Sequence, residues 1–182
     1  MKYLNTILIL LTAFLAVFWE AAFNGVRHLL GAQIDFLPPL MVYASLSTGL
    51  GSVVLLSVFG GLWLDSLSAN PLGVTVLPLF VIGLAIYANR DLILSDQFFA
   101  QLALGFGASA LVPVMTLVLL LTTGHTPLFG WGTLWQLIVM SVAGAITTPV
   151  LFALFGRLNR VFGYHPVAEL SFRPDREIRR GR

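Results

Sequence analysis

The stretch from Gly60 to Gly73, which reads GGLWLDSLSANPLG, decides how this chain folds. It places one acidic residue, Asp65, between two long apolar runs, and small polar residues follow it. A carboxylate next to hydrocarbon is costly unless it reaches water, a helix cap or a partner. Asn70 and Pro71 predict a helix start, because Asn caps free N–H groups and Pro fits the first helical position.

The composition on either side of this stretch is that of a membrane protein. The chain has 182 residues, of which 58% are hydrophobic and 10% are charged, and its mean hydropathy is +0.92. Soluble domains carry about 25% charged residues. Residues 36–64, 66–89 and 97–156 contain no Asp, Glu, Lys or Arg, and a spanning helix needs about 20 such residues. We therefore predict an all-α integral membrane protein that contacts the lipid bilayer and no nucleic acid.

The apolar runs and their breaks predict a six-helix transmembrane bundle within one domain, residues 1–163. The expected spans are about residues 4–23, 36–46, 50–64, 71–88, 98–121 and 133–154. The first span resembles a signal peptide, but no small-residue cleavage site follows it, so we expect it to be retained.

The run 36–64 has two interpretations. It is too long for one untilted span, and small residues cluster around Gly49. Such a cluster favours two short helices joined by a turn, and a single steeply tilted helix is the alternative. Asp35 is placed to cap the first of them, with Pro38 and Pro39 in its first turn.

Basic residues predict the orientation. Seven of the ten Lys and Arg residues follow Gly156, namely Arg157, Arg160, Arg173, Arg176, Arg179, Arg180 and Arg182. The positive-inside rule assigns this end, with the basic tail 164–182, to the cytoplasm. With six spans the N-terminus is cytoplasmic as well, and the loop after Asp65 faces outward.

Polar residues gather at the predicted outer ends of the spans. Intramembrane carboxylates usually face the interior of a helix bundle, so we expect an outward-facing cavity there. Its candidate residues are Glu20, Asp35, Asp65, Ser68, Asn70, Pro71 and Gly73. Glu20 and Asp65 would set its charge. The structural alternative is equally open: both carboxylates lie at the water boundary or pair with Arg27.

One pair of small residues on the fifth span is a candidate packing surface. Gly105 and Ser109 are four residues apart, which brings them to one helix face and lets another helix approach closely. This face could pack inside the bundle or bind a partner, and the sequence leaves open both the partner-facing helix and a homodimer.

Catalytic chemistry has no signature in this sequence. The metalloprotease motif His-Glu-x-x-His, the Walker Gly-Lys-Ser/Thr and the nucleophile motif Gly-x-Ser-x-Gly are all missing. The chain has no cysteine, and His28, His125 and His165 fall in predicted loops or the tail. We therefore expect no catalytic residues, no cofactor and no metal site.

The opening stretch resembles a family signature. It matches the pattern G-x-x-x-D-x-x-S-x-x-P-L-G of the MreD family, the rod shape-determining membrane proteins. The matching positions are Gly61, Asp65, Ser68, Pro71, Leu72 and Gly73. The resemblance implies a six-helix fold similar to the S components of energy-coupling-factor transporters and a location in the bacterial inner membrane. It also implies a non-enzymatic scaffold role in cell-wall elongation, bound to the single-span protein MreC, with links to MreB, RodA and a class B penicillin-binding protein.

An S component that binds a vitamin or a metal is the alternative function. Such a protein needs a small-xxx-small face on its first span to meet its transporter partner. That face is not evident here, because Ala13 and Ala16 are three residues apart.

Overall fold

The computed structural model describes residues 2–22, 31–68, 70–93, 97–124 and 130–162. These residues form six α-helices and no strand. The helices are α1 (Lys2–Ala22), α2 (Leu37–Ser47), α3 (Leu50–Leu67), α4 (Val76–Ala88), α5 (Phe98–Thr122) and α6 (Trp131–Phe162). The prediction of an all-α chain with six helices is thereby confirmed for the described part.

The run 36–64 contains two helices. Helix α2 ends at Ser47 and α3 begins at Leu50, because Thr48 and Gly49 have extended backbone angles. The single tilted helix is therefore excluded. At the start of α2, Asp35 Oδ1 accepts a hydrogen bond of 2.8 Å from the Leu37 N–H, which satisfies one free donor of the first turn.

Helix α4 begins later than its sequence predicts. Asn70 and Pro71 indicated the start, but residues 72–75 form turns and the helix begins at Val76. The reason is that Gly73 and Thr75 direct their backbone N–H groups to the Asp65 carboxylate. Gly73 adopts a φ of 91° to do so, a left-handed conformation that glycine adopts without strain.

Helix α2 forms the centre of the bundle. It packs against each of the other five helices, and nine of its 11 residues are buried. Tyr43 stacks on Phe155 of α6 with ring centroids 4.4 Å apart. The remaining helices surround α2 in the order α1, α3, α4, α5, α6, and each packs on the next. Within the described residues, α1 and α6 do not contact each other, so the ring has a gap between them.

The outer surface of the bundle is apolar. Within the described ranges, four helical segments are long and apolar enough to cross a membrane: Asn5–Ala22, Leu50–Leu67, Phe98–Thr122 and Trp131–Leu158. On α6, Ile138, Val142, Ile146 and Val150 form an exposed stripe, which a water-soluble monomer rarely shows over this length. The chain therefore has the character of a membrane protein.

Helices α2 and α4 are shorter than a span. With 11 and 13 residues, they are roughly 16 and 20 Å long, against about 30 Å of hydrocarbon. Non-helical backbone at membrane depth is tolerated where protein covers it. In the described structure, α2 is buried by the other helices, and the segment before α4 is bonded by Asp65.

The pair Gly105 and Ser109 belongs to the interior of the bundle. A Cβ atom on Gly105 would lie 2.1 Å from Thr148 Oγ1 and 2.6 Å from the Gly144 carbonyl oxygen. Ser109 is buried, and a Cβ atom on Gly144 would lie 1.8 Å from its hydroxyl. Helix α6 therefore occupies this face. In the described structure the pair serves packing within the bundle, and its face is covered by α6.

Candidate binding cavity

A cavity of about 270 Å³ lies at one end of the bundle. This end, hereafter the cavity end, brings together the last turns of α1, α3 and α5 with the starts of α2, α4 and α6. The residues that line the cavity are Glu20, Gln33, Asp35, Leu64, Ser68, Asn70, Thr75, Val112, Pro113, Thr116, Leu117, Leu120, Gln136 and Met140. One wall is apolar and comes mainly from α5, and the other is polar.

The polar wall is built around Gln33, which spans the gap between α1 and α6. Its side-chain Nε2 donates a hydrogen bond of 2.7 Å to Glu20 Oε1. Its backbone N–H donates to Gln136 Oε1 at 3.2 Å, and its carbonyl accepts from Gln136 Nε2 at 3.3 Å. One residue of the segment before α2 thus connects two helices that do not pack on each other.

Glu20 leaves one acceptor unused. Its Oε2 atom is buried and has no hydrogen-bond partner among the described residues, although Oε1 is bonded to Gln33. An unsatisfied buried acceptor is uncommon, because its desolvation costs about 1–3 kcal/mol. Glu20 therefore contributes to the cavity wall a carboxyl group with one acceptor that no described residue occupies.

Asp35 adds a second carboxyl group to the same cavity. It is buried, and burial raises its pKa to about 6, while the hydrogen bond from the Leu37 N–H acts in the opposite direction. Burial disfavours the charged form of a carboxyl group, so a positive charge in the cavity would stabilise the carboxylate.

Asp65 lies beneath the cavity and is not among its lining residues. It is 1% exposed. Its Oδ2 accepts hydrogen bonds from the N–H groups of Gly73 at 2.8 Å and Thr75 at 3.1 Å, and its Oδ1 accepts one from the Thr75 hydroxyl. We call Asp65, Gly73 and Thr75 the clasp. Because Thr75 also lines the cavity, Asp65 positions part of the cavity wall through its hydrogen bonds to Thr75.

The other candidate residues divide between these two places. Ser68 and Asn70 line the cavity, and the Ser68 N–H and hydroxyl both bond the Asp65 carbonyl. Pro71 lies in the loop before α4 and Gly73 in the clasp, and neither lines the cavity. Within the described residues, no group of three or more His, Cys, Asp and Glu side chains could hold a metal ion.

Four polar residues that line the cavity were not predicted from the sequence: Gln33, Thr75, Thr116 and Gln136. The candidates were chosen from charged residues at the ends of spans and from the Gly60–Gly73 stretch, and these four residues belong to neither group. A signal was available for Gln136, which is one of few amides in the long run 97–156, since polar groups at membrane depth are costly unless they are paired.

Several predictions fall on residues outside the described ranges. They are the pairing with Arg27, the loop positions of His28 and His125, and the tail 164–182 with His165. These stay predictions.

No family model, curated protein or solved structure matches this chain.

Proposed function

We propose that this chain is a non-enzymatic membrane scaffold of the MreD type, which binds MreC in the bacterial inner membrane and supports peptidoglycan synthesis during rod growth. The clasp is the observation that carries the proposal. It gives a physical reason for several residues of the signature in Gly60–Gly73. Without it, the resemblance would depend on sequence similarity alone.

Four signature positions build the turn between α3 and α4. Asp65 accepts the hydrogen bonds, Gly73 reaches it with a positive φ, and Ser68 closes the end of α3. At Gly61 a Cβ atom would lie 2.9 Å from the Val76 backbone, so glycine lets α3 and α4 approach closely. These positions support the resemblance because each has a role that few other residue types could fill.

Leu72 is the signature position for which the described structure shows no internal role. It is 70% exposed, and it lies at the tip of the loop that the clasp holds. An apolar side chain on a fixed loop is suited to contact a partner, because little ordering entropy is lost on binding. We place the contact with MreC at this loop.

Copurification in detergent tests the scaffold proposal. A tagged wild-type chain should retain coexpressed MreC, and Leu72→Ser should lower the retained amount about tenfold, as expected for a buried apolar anchor. Leu92→Ser is the matched control, because Leu92 is 81% exposed at the opposite end of the bundle. No retention by the wild type, or equal loss in both variants, would contradict the proposal.

The proposed topology has six spans with both termini in the cytoplasm. The chain has no cysteine, so Leu72→Cys and Leu92→Cys each create a single thiol at an exposed position on one end. A membrane-impermeant thiol reagent should label the thiol at position 72 on intact spheroplasts. It should label the thiol at position 92 only after the membrane is opened. The reverse labelling pattern would show that the chain has the opposite orientation in the membrane.

The cavity favours a second candidate function, the S component of an energy-coupling-factor transporter. A concave site with a few polar groups on an apolar wall is typical of small-molecule binding. Against this, Ala13 of α1 is fully buried in the bundle and is not available to a transporter subunit. Copurification of a transporter ATPase instead of MreC would favour this candidate.

A further inference from the structure

The cavity has an acidic polar wall that lacks a counter-ion among the described residues. Glu20 and Asp35 both line it, and no Lys, Arg or His of the described ranges does. The Oε2 atom of Glu20 is buried without a partner. A guest that brings a positive charge and N–H donors would satisfy this atom and offset the burial of both carboxyl groups.

The chemistry of the lining restricts the kind of cation. Quaternary ammonium groups have no N–H donors and are recognised by aromatic cages, but none of the described lining residues is Phe, Tyr or Trp. The lining instead offers oxygen acceptors on Glu20, Asp35 and Asn70. A primary ammonium group, with three N–H donors, fits such acceptors.

The apolar wall and the volume of the cavity restrict the part of the guest molecule next to its nitrogen atom. The opposite wall is apolar, with Val112, Leu117, Leu120 and Met140, and about 270 Å³ is at the small end of ligand sites. Helices α1 and α6 do not pack on each other in the described part, and Gln33 bridges the opening between them.

We propose that the cavity binds a primary ammonium group, with Glu20 and Asp35 as counter-ions and the α5 wall against the carbon atoms beside the nitrogen. Two sources supply this chemistry: the headgroup of an ethanolamine phospholipid, reached through the α1–α6 gap, or a small soluble amine. The proposal does not depend on the scaffold role, because it requires the carboxyl groups of Glu20 and Asp35 and not the exposed side chain of Leu72.

Lipid retention tests the first source. The full chain is purified from membranes of equal parts phosphatidylethanolamine and phosphatidylcholine, and bound lipid is counted by native mass spectrometry. The wild type should retain the ethanolamine lipid about tenfold over the choline lipid, since one charge-assisted hydrogen bond gives a preference of this size. Glu20→Gln should reduce the preference to near parity.

Two further variants complete the lipid experiment, one as a control and one as a competitor for the site. Asp91→Asn removes a carboxylate that is 92% exposed and should leave the preference unchanged. Thr116→Lys places a tethered ammonium group on the cavity wall and should displace the ethanolamine lipid while the protein stays folded.

Soluble amines test the second source. In detergent without added lipid, ethanolamine should raise the melting temperature of the wild type, choline should not, and Glu20→Gln should abolish the difference. A Glu20-dependent preference in either experiment supports the ammonium site and identifies its source. If neither experiment shows one, or if Glu20→Gln retains it, Glu20 is not the counter-ion of a bound ammonium group and the proposal is overturned.

Discussion

Two carboxylates at the same end of the bundle have opposite surroundings. In the clasp, Asp65 accepts hydrogen bonds from two backbone N–H groups and a hydroxyl. In the polar wall of the cavity, Glu20 accepts one hydrogen bond from Gln33, and its second oxygen has no described partner. The difference distinguishes a carboxyl group whose two oxygens are both occupied, as suits a structural role, from one with an unoccupied oxygen, as the proposed ammonium site requires.

The clasp also explains why an acidic residue is placed between two apolar runs. Buried backbone N–H groups must find hydrogen-bond partners within the protein. The segment before α4 is not helical, so its N–H groups have no partner within a helix. Asp65 accepts two of them and so holds this segment in place.

The largest expected effect follows from removing the clasp. Asp65→Ala deletes three hydrogen bonds and leaves buried donors without partners, so the free energy of unfolding should fall by on the order of 4 kcal/mol. This corresponds to a melting temperature lower by roughly 10 °C, measured by thermal unfolding in detergent. Asp91→Asn should cause no change. A melting temperature that stays at the wild-type value would contradict a structural role for Asp65.

A smaller loss is expected where α3 meets the start of α4. Gly61→Ala introduces a Cβ atom 2.9 Å from the Val76 backbone, and such overpacking costs about 1–3 kcal/mol. Gly51→Ala is the control on the same helix, because a Cβ atom there meets nothing within 4 Å. That variant should be neutral or slightly more stable. Equal melting temperatures for both variants would show that α3 and α4 do not require close contact at Gly61.

The hydroxyl group of Thr75 in the clasp should contribute less to the free energy of unfolding than the close contact at Gly61. Thr75→Val keeps the shape of the side chain and removes the hydrogen bond to Asp65, which should cost about 1–2 kcal/mol because the acceptor is a carboxylate. Thr123→Val is the comparison, since the exposed hydroxyl of Thr123 bonds its own helix. A melting temperature of Thr75→Val within error of this control would remove Thr75 from the clasp.

The smallest effect is expected at the polar wall. Gln33→Ala removes the hydrogen bond to Glu20, but the backbone of residue 33 can still bond Gln136. We expect a loss below about 1 kcal/mol. A loss as large as that of Asp65→Ala would mean that the polar wall is a second structural clasp, and the contrast between the two regions would disappear.

The sequence predicted local features well and long-range ones poorly. The break at Gly49 and the role of Asp35 at the start of α2 depend on neighbouring residues, and the sequence indicates both. The start of α4 depends instead on a residue far away in the sequence. Asp65 accepts a hydrogen bond from Thr75, ten positions later, and this prevents the helix start that Asn70 and Pro71 indicate.

The cavity, too, could be predicted from the sequence only in part. Its charged residues stand out in an apolar sequence, but Gln33 and Gln136 are 103 positions apart. Nothing in the local pattern indicates that they meet. The partner face has a related difficulty, since small residues such as Gly105 support packing within a bundle and between proteins equally well.

The most direct test compares the two carboxylates by the same substitution. Asp65→Asn and Glu20→Gln each replace a carboxyl group by an amide of the same size, and thermal unfolding of both is measured in one detergent. We predict that Asp65→Asn lowers the melting temperature by roughly 4–8 °C, because a neutral amide loses the charge that strengthens all three hydrogen bonds and its nitrogen forces the Thr75 hydroxyl to change from donor to acceptor. Glu20→Gln should stay within about 2 °C of the wild type. A drop in Glu20→Gln as large as in Asp65→Asn, or no drop in Asp65→Asn, would contradict the division between a structural clasp and a binding cavity.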